Sequence, residues 1–163
     1  MTETVLSTLT AALTAAGLDA VRAYPATALD RSRGPVVCVG IRENKLLSPG
    51  MGDYLGQRSD GGTVRELYGL RAECRISLDV FSPDDETHGA AGCVRCGEAI
   101  VSALADLPAG LRLRSLRFGE AGYDRGSGMF RMTAELNCAA FLTRERDADT
   151  GVFTDFTLKG VLK

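Results

Sequence analysis

Apolar and polar positions alternate along this chain with two distinct periods, and the change of period marks its elements. Leu6, Leu9 and Leu13, widened by Val5, Ala12 and Ala16, form one stripe at helical spacing and predict an amphipathic helix over 4–16. Gly17 stands where a left-handed C-cap would end it. A short strand is expected from Val21 to Tyr24, stopped by Pro25, which has no N–H for a ladder. The run Val36-Val37-Cys38-Val39-Gly40-Ile41 reads as a buried strand. Period two is clearest further on, where Leu70, Ala72, Cys74, Ile76, Leu78 and Val80 alternate with Arg71, Glu73, Arg75, Ser77 and Asp79. That pattern predicts a strand with one face on a core and the other against water or a neighbouring subunit.

Ser82-Pro83-Asp84-Asp85 has the features of a helix start: a capping hydroxyl, a proline for the first helical position, and acids for the positive end of the dipole. The helix is expected over about 90–106, with Cys93, Cys96, Gly97, Ile100, Val101, Leu104 and Leu107 on its apolar stripe and Pro108 and Gly110 ending it. A strand follows over Leu111–Phe118, then a long one in which Phe130 to Leu142 alternate with Arg131, Thr133, Glu135 and Asn137. The turn-rich Arg144–Gly151 stretch leads to a last strand built on Val152, Phe156, Leu158 and Leu162, so 144–163 is expected to close a C-terminal hairpin. The order, without repeated βαβ units, predicts an α+β fold over 1–163 as one domain: an antiparallel β-sheet with two helices packed on one face.

Between Ile41 and Leu70 the pattern breaks. Residues 42–69 hold six glycines, Gly50, Gly52, Gly56, Gly61, Gly62 and Gly69, yet also many apolar side chains. Loops beyond about 12–15 residues are uncommon in compact domains and tend to carry function. Asp60-Gly61 is a hairpin-turn dipeptide, so a protruding β-arm or long loop is expected. An arm with exposed apolar groups wants a partner surface. The candidate contact residues are Lys45, Leu47, Met51 and Asp53, continuing with Tyr54, Leu55, Arg58 and Tyr68. A lid folded on its own domain and a disordered segment are the other readings.

Composition narrows the chemistry. With 19 basic and 21 acidic side chains, the net charge of −2 lacks the basic excess of a general nucleic-acid binder. No apolar run approaches the ~18 residues needed to span a bilayer. No basic segment precedes an apolar run near Met1, so the chain is expected to fold in the cytosol. The cysteines, Cys38, Cys74, Cys93, Cys96 and Cys138, are five in number and scattered, which suits small buried apolar residues in a reducing compartment.

Cys93-x-x-Cys96 has the spacing of a redox pair or half a zinc site, but both thiols fall on the apolar stripe of a helix already under way, and no second pair completes four ligands. Core packing is the expected role. His88 sits near Asp84, Asp85 and Glu86, a grouping that suits a metal or a base. No nucleophile or second ligand is signalled beside it, so an acid-rich helix start with a solvated histidine is the expected reading. Gly50-x-Gly52-x-x-x-Gly56 is not a phosphate-binding loop, and Gly126-Ser127-Gly128 reads as a hairpin turn. Arg112, Arg114 and Arg117, with Arg131 alongside, are expected on one sheet face; a phosphate footprint is one reading, and solvated side chains or subunit salt bridges to Glu73, Asp79 or Glu135 are the favoured one. No catalytic residue, cofactor or metal is expected. The enzymatic alternative is a small redox or metal enzyme using Cys93, Cys96 and His88.

Several segments resemble proteins from the tail-module clusters of phages and prophages: Pro35-Val-Val-Cys-Val-Gly-Ile-Arg-Glu-Asn-Lys45, Gly50-Met-Gly-Asp-Tyr-Leu-Gly56, Ile76-Ser-Leu-Asp-Val-Phe-Ser-Pro83, Gly119-Glu-Ala-Gly-Tyr-Asp124 and Met129-Phe-Arg-Met132. In size and element order the chain is similar to phage tail terminator proteins. That resemblance implies a structural virion protein without catalytic residues, forming a homo-oligomeric ring, a hexamer, that caps the tail tube. Its implied partners are itself, tube and sheath subunits, and head–tail connector proteins, with no membrane and no sequence-specific nucleic acid. The implied location is the virion tail, after assembly in host cytoplasm. A connector, collar or baseplate subunit is the alternative within the same class.

Overall fold

The computed structural model describes residues 2–22, 32–48, 50, 52–105, 107 and 111–147. Over these residues the fold is α+β, with two helices and one open sheet of seven strands. Helix α1 spans Thr2–Ala15, and strand β1 spans Asp19–Arg22. Strands β2 (Val36–Leu47), β3 (Tyr54–Asp60) and β4 (Thr63–Pro83) follow, then helix α2 (Gly89–Ala105). Strands β5 (Leu111–Phe118), β6 (Gly122–Asp124) and β7 (Met129–Asp147) complete the described chain. The sheet runs β1-β2-β4-β7-β5, with β3 added to β4 and β6 to β7.

The sheet is antiparallel as expected, apart from β1, which joins β2 in parallel. A parallel neighbour needs a crossover connection rather than a hairpin, and residues 23–35 lie between these two strands. The β4–β7 ladder is the spine, pairing Arg65 with Asp147 at one end and Pro83 with Met129 at the other.

Both helices lie on one face. A single cluster joins Val5, Leu9 and Leu13 of α1 and Cys93, Cys96, Ile100 and Leu104 of α2 to one parity of the sheet: Val37, Val39, Ile76, Leu78, Val80, Ala134 and Leu136. Their burial follows from the two periodicities read together, 3.6 on the helices and 2 on the strands. The helix stripe also carries Gly97, and a Cβ there would meet Met132 at 3.1 Å and Phe118 at 3.4 Å. Gly92 lets the first turn of α2 close on β4, since a Cβ would fall 2.3 Å from the buried Ser82 hydroxyl.

Three expectations are corrected. Ser82 and Pro83 end β4 instead of starting α2; the Asp85 carboxylate caps the turn, accepting from the N–H of Thr87 at 2.9 Å and of His88 at 2.7 Å. The second face of β4 is not wet along its length: Ser77, Asp79 and Phe81 are buried, and Phe81 packs with Val36, Cys38 and Met129 in a second cluster. Strand β7 runs on through Arg144 to Asp147, where a turn was expected, because each of these residues finds a partner on β4. Met51, Tyr24, Pro25, Pro108, Gly110 and the strand expected over 152–162 lie outside the described residues.

Candidate interaction surface

Residues 42–69 are mostly strand. The second half of β2 pairs Lys45 with Glu73 and Leu47 with Arg71 across the ladder to β4. Strands β3 and β4 form a hairpin that turns at Gly61 and Gly62, with φ of +57° and +88°. Those two left-handed residues in a two-residue loop match the right-handed twist of the strands; the turn falls one residue after the expected Asp60-Gly61 dipeptide, since Asp60 pairs with Thr63. The first half of β4 is held on its other side by β7, from Arg65–Asp147 to Leu70–Leu142. The excursion is therefore a sheet extension, here called the arm, built from β2, β3, β4 and the end of β7.

Polar bonds tie these strands together. Glu145 of β7 accepts from Arg65 of β4 at 2.9 Å and sits 3.8 Å from Arg58 of β3, spanning three strands with one carboxylate. Arg144 binds the Asp53 carboxylate, while the Asp53 carbonyl accepts from the Gly69 N–H at 2.6 Å. Tyr54 meets Tyr68 edge-on, ring centres 5.5 Å apart, and the Tyr68 hydroxyl donates to Glu66 at 2.6 Å. Gly69 has φ +158°, and a Cβ there would fall 1.7 Å from the Leu142 carbonyl oxygen. Only glycine permits that approach of β4 to β7.

The arm contributes nothing from 42–71 to either hydrophobic cluster among the described residues. Its apolar side chains remain in solvent: Leu46 (53% exposed), Leu47, Tyr54, Val64, Leu70 and Leu142. Leu46 is in register with Ala72, and Leu70 with Leu142; Ala72 and Ala140 belong to the helix-side core, so Leu46, Leu70 and Leu142 continue that face past the helices. A groove of about 440 Å³ opens beside them, lined by Asp53, Gly69, Leu70, Leu142, Thr143 and Arg144.

Of the candidate contact residues, the structure brings Asp53, Tyr54, Leu55, Arg58 and Tyr68 together on the arm. Lys45, bound to Glu43 at 3.0 Å, and Leu47 lie at its β2 side. Leu142, Arg144 and Glu145 were missed, because β7 joins the arm from more than seventy residues away in sequence. The period-two pattern of β7 ends at Leu142, and the polar run Thr143-Arg144-Glu145 carries no alternation that could have placed them on a strand.

The alternative chemistries fare differently. Cys93 and Cys96 are buried, and burial raises both thiol pKa values, Cys96 to about 11 with added repulsion from Cys93. That is the opposite of an activated thiolate. Cys74 and Cys138 face each other across β4 and β7, unsuspected from sequence, and burial with coupling to Cys74 pushes Cys138 to about 12. His88 Nδ1 lies 2.9 Å from the Asp85 carboxylate, whose pKa is lowered chiefly by that hydrogen bond. Among the described residues no cluster of three or more metal-ligating side chains forms.

The arginines separate. Arg131 binds the fully buried Asp79 at 2.9 Å and stacks over Phe81; Thr133 donates to the same carboxylate at 2.8 Å, and Arg42 lies 3.6 Å from it. Arg112 lies over the Phe141 ring, and no carboxylate among the described residues pairs with Arg112, Arg114 or Arg117.

No family model matches this chain, and no curated protein matches it in sequence. Among solved structures it is similar to the sheath/tube terminator of the PVC extracellular contractile injection system, seen by cryo-EM in the extended state. The two share 12% identity at a TM-score of 0.40, and the match covers 98% of this chain but 62% of that one. This chain thus spans less than two thirds of its neighbour. Overlap this loose assigns neither a function nor a partner.

Proposed function

We propose that this chain is a structural subunit of a tail-like particle, acting as a tail terminator: a homo-oligomeric ring that caps the tail tube and joins it to connector proteins. The observation that carries this reading is the arm. It is a cross-braced sheet extension whose helix-side face presents Leu46, Leu70 and Leu142 to solvent without contributing to the domain core. Apolar surface held on a rigid element, beyond the core it could have joined, suits a partner and not a lid. The resemblance of the quoted segments to tail-module proteins supplies the setting. In this reading the arm contacts a neighbouring subunit or the tube, and no cofactor takes part.

Light scattering of the purified chain, with and without tail-tube protein, tests the reading. A closed oligomer, or a monomer that becomes a ring on the tube, is expected. The double variant Leu46→Asp with Leu142→Asp should keep its fold and lose that assembly. Normal ring formation by this variant, or indifference of the native chain to the tube, would sink the proposal.

A further inference from the structure

Among the described residues, the exposed large apolar side chains fall into two groups. One lies on the arm; the other comprises Val94, Val101, Leu113 and Tyr123, along the edge formed by β5 and β6 and the outer side of α2. This second group stands apart from the arm and requires its own account.

Strands β5 and β6 lie end to end on the same side of β7, and the register gives them an internal symmetry. Leu113 is opposite Cys138, Phe118 opposite Ala134 and Tyr123 opposite Phe130, so Leu113 and Tyr123 each stand four β7 positions from Phe118. Arg112 opposite Ala139 and Asp124 opposite Met129 each stand five positions from it. Each half sets five residues over four β7 positions, one residue being absorbed at the bulge between Leu113 and Ser115 and one between Phe118 and Gly122, where 119–121 leave the strand. Leu113, Phe118 and Tyr123 share the helix side of the sheet, because Cys138, Ala134 and Phe130 do. The edge is basic on one side of Phe118, through Arg112, Arg114 and Arg117; on the other it carries Glu120 and Asp124, whose carboxylate also accepts from the Gly126 N–H at 3.1 Å and the Ser127 hydroxyl at 2.8 Å, with Arg125 beyond it in the turn.

We propose that two copies of this chain join along this edge about a two-fold axis at Phe118, extending one sheet into the other. Antiparallel pairing there sets Leu113 of each copy against Tyr123 of the other and Arg112 against Asp124, and brings Glu120 beside Arg117. A two-fold contact requires a patch that is its own complement, and this edge is one. Phe118, Val94 and Val101 meet their counterparts at the centre, where an apolar groove of about 260 Å³ runs between α2 and β5. Pairing of β5 on β5 alone, centred on Ser115, would set Arg112 against Arg117, and like charges directly opposite repel. The charge pattern therefore selects Phe118 as the centre. The contact leaves the arm uncovered, and it goes beyond the terminator reading without resting on it.

Single-cysteine variants test the register in the full-length chain. Residues directly opposite across antiparallel strands have Cβ atoms about 4.5–5.5 Å apart, close to disulfide spacing. Mixing Leu113→Cys with Tyr123→Cys under mild oxidation should give a cross-linked pair. Either variant alone should not, since its two cysteines would be roughly 27 Å apart across the axis at ~3.4 Å per residue. Absence of the mixed cross-link, or equal cross-linking of the single variants, would overturn the proposal. Arg112→Glu should weaken self-association at least tenfold in sedimentation, with Asp124→Arg restoring it; unchanged association in Arg112→Glu would also count against it. The arm variant Leu46→Asp with Leu142→Asp, carrying the same cysteines, should still cross-link, so failure of either proposal is read separately.

Discussion

Strand β4 passes through two environments in 21 residues. From Ile76 to Ser82 every residue is buried, whichever face it points to. From Thr63 to Leu70 no residue is buried, although β3 and β7 flank it on both sides. Backbone pairing is the same in the two halves; what differs is the layer above and below. The lower half has helices on one face and the Val36–Cys38–Phe81–Met129 cluster on the other. The arm half has neither, so its order rests on ladder bonds, the Tyr54–Tyr68 contact and the Glu145 bridges. Hydrogen bonding can shape an element that hydrophobic burial does not stabilise, and that leaves the arm's apolar face for a partner.

This contrast can be broken most sharply by truncating the same residue type in each half. Leu78→Ala empties a fully buried site and should cost about 2–5 kcal/mol of unfolding free energy. Leu70→Ala, at 39% exposure, should cost no more than about 0.5–1 kcal/mol. Urea denaturation of both variants measures the difference, and equal costs would mean that the arm is part of the core.

Asp79→Ala probes the second face. Its carboxylate is fully buried and holds Arg131 and Thr133. Breaking a buried pair costs about 3–5 kcal/mol, but Arg131 and Arg42 are 38% and 51% exposed and can turn to water. A loss of about 2–3 kcal/mol is expected, and a change below about 1 would show this face to be effectively solvated.

The buried thiols give a smaller, pH-dependent version of the same contrast. Folding holds Cys96 and Cys138 protonated, at about 11 and about 12 against an ordinary 9.0. The unfolded chain releases those protons first as pH rises, so their stabilisation is intact below pH 9 and is lost through the window from 9 to about 12. Stability should fall by about 1–3 kcal/mol between pH 8 and 10. Replacing both cysteines with alanine should remove most of that slope, leaving the share of Cys74 and Cys93, whose thiols burial also raises; a slope unchanged by the replacement would assign it to other groups.

Much of the helix-side layer could be read from residue order alone. Leu9 and Leu13 on α1, Cys96 and Ile100 on α2, and the even positions from Ala72 to Val80 on β4 and from Met132 to Ala140 on β7 carry their burial in their spacing. The core role of Cys93 and Cys96 followed from that spacing too. The candidate surface was legible only on its near side: Asp60-Gly61 announced the hairpin, and Tyr54, Leu55, Arg58 and Tyr68 were placed on it. Leu142, Arg144 and Glu145 were not, because their role depends on β7 lying beside β4. Asp79 misled, since alternation assigns a charged residue to the wet face.

By itself, then, the sequence determined local periodicity, the α+β class, the hairpin turn and which side chains could share a face. These follow from backbone geometry within a few residues, where 3.6 and 2 are the repeats. Only tertiary structure decided which of those faces would be covered. Burial of Asp79, exposure of Leu46 and Leu70, and the symmetry of the β5–β6 edge about Phe118 all depend on pairings between residues distant in the chain. Those pairings are selected by the packing of the whole sheet, and no local pattern encodes them.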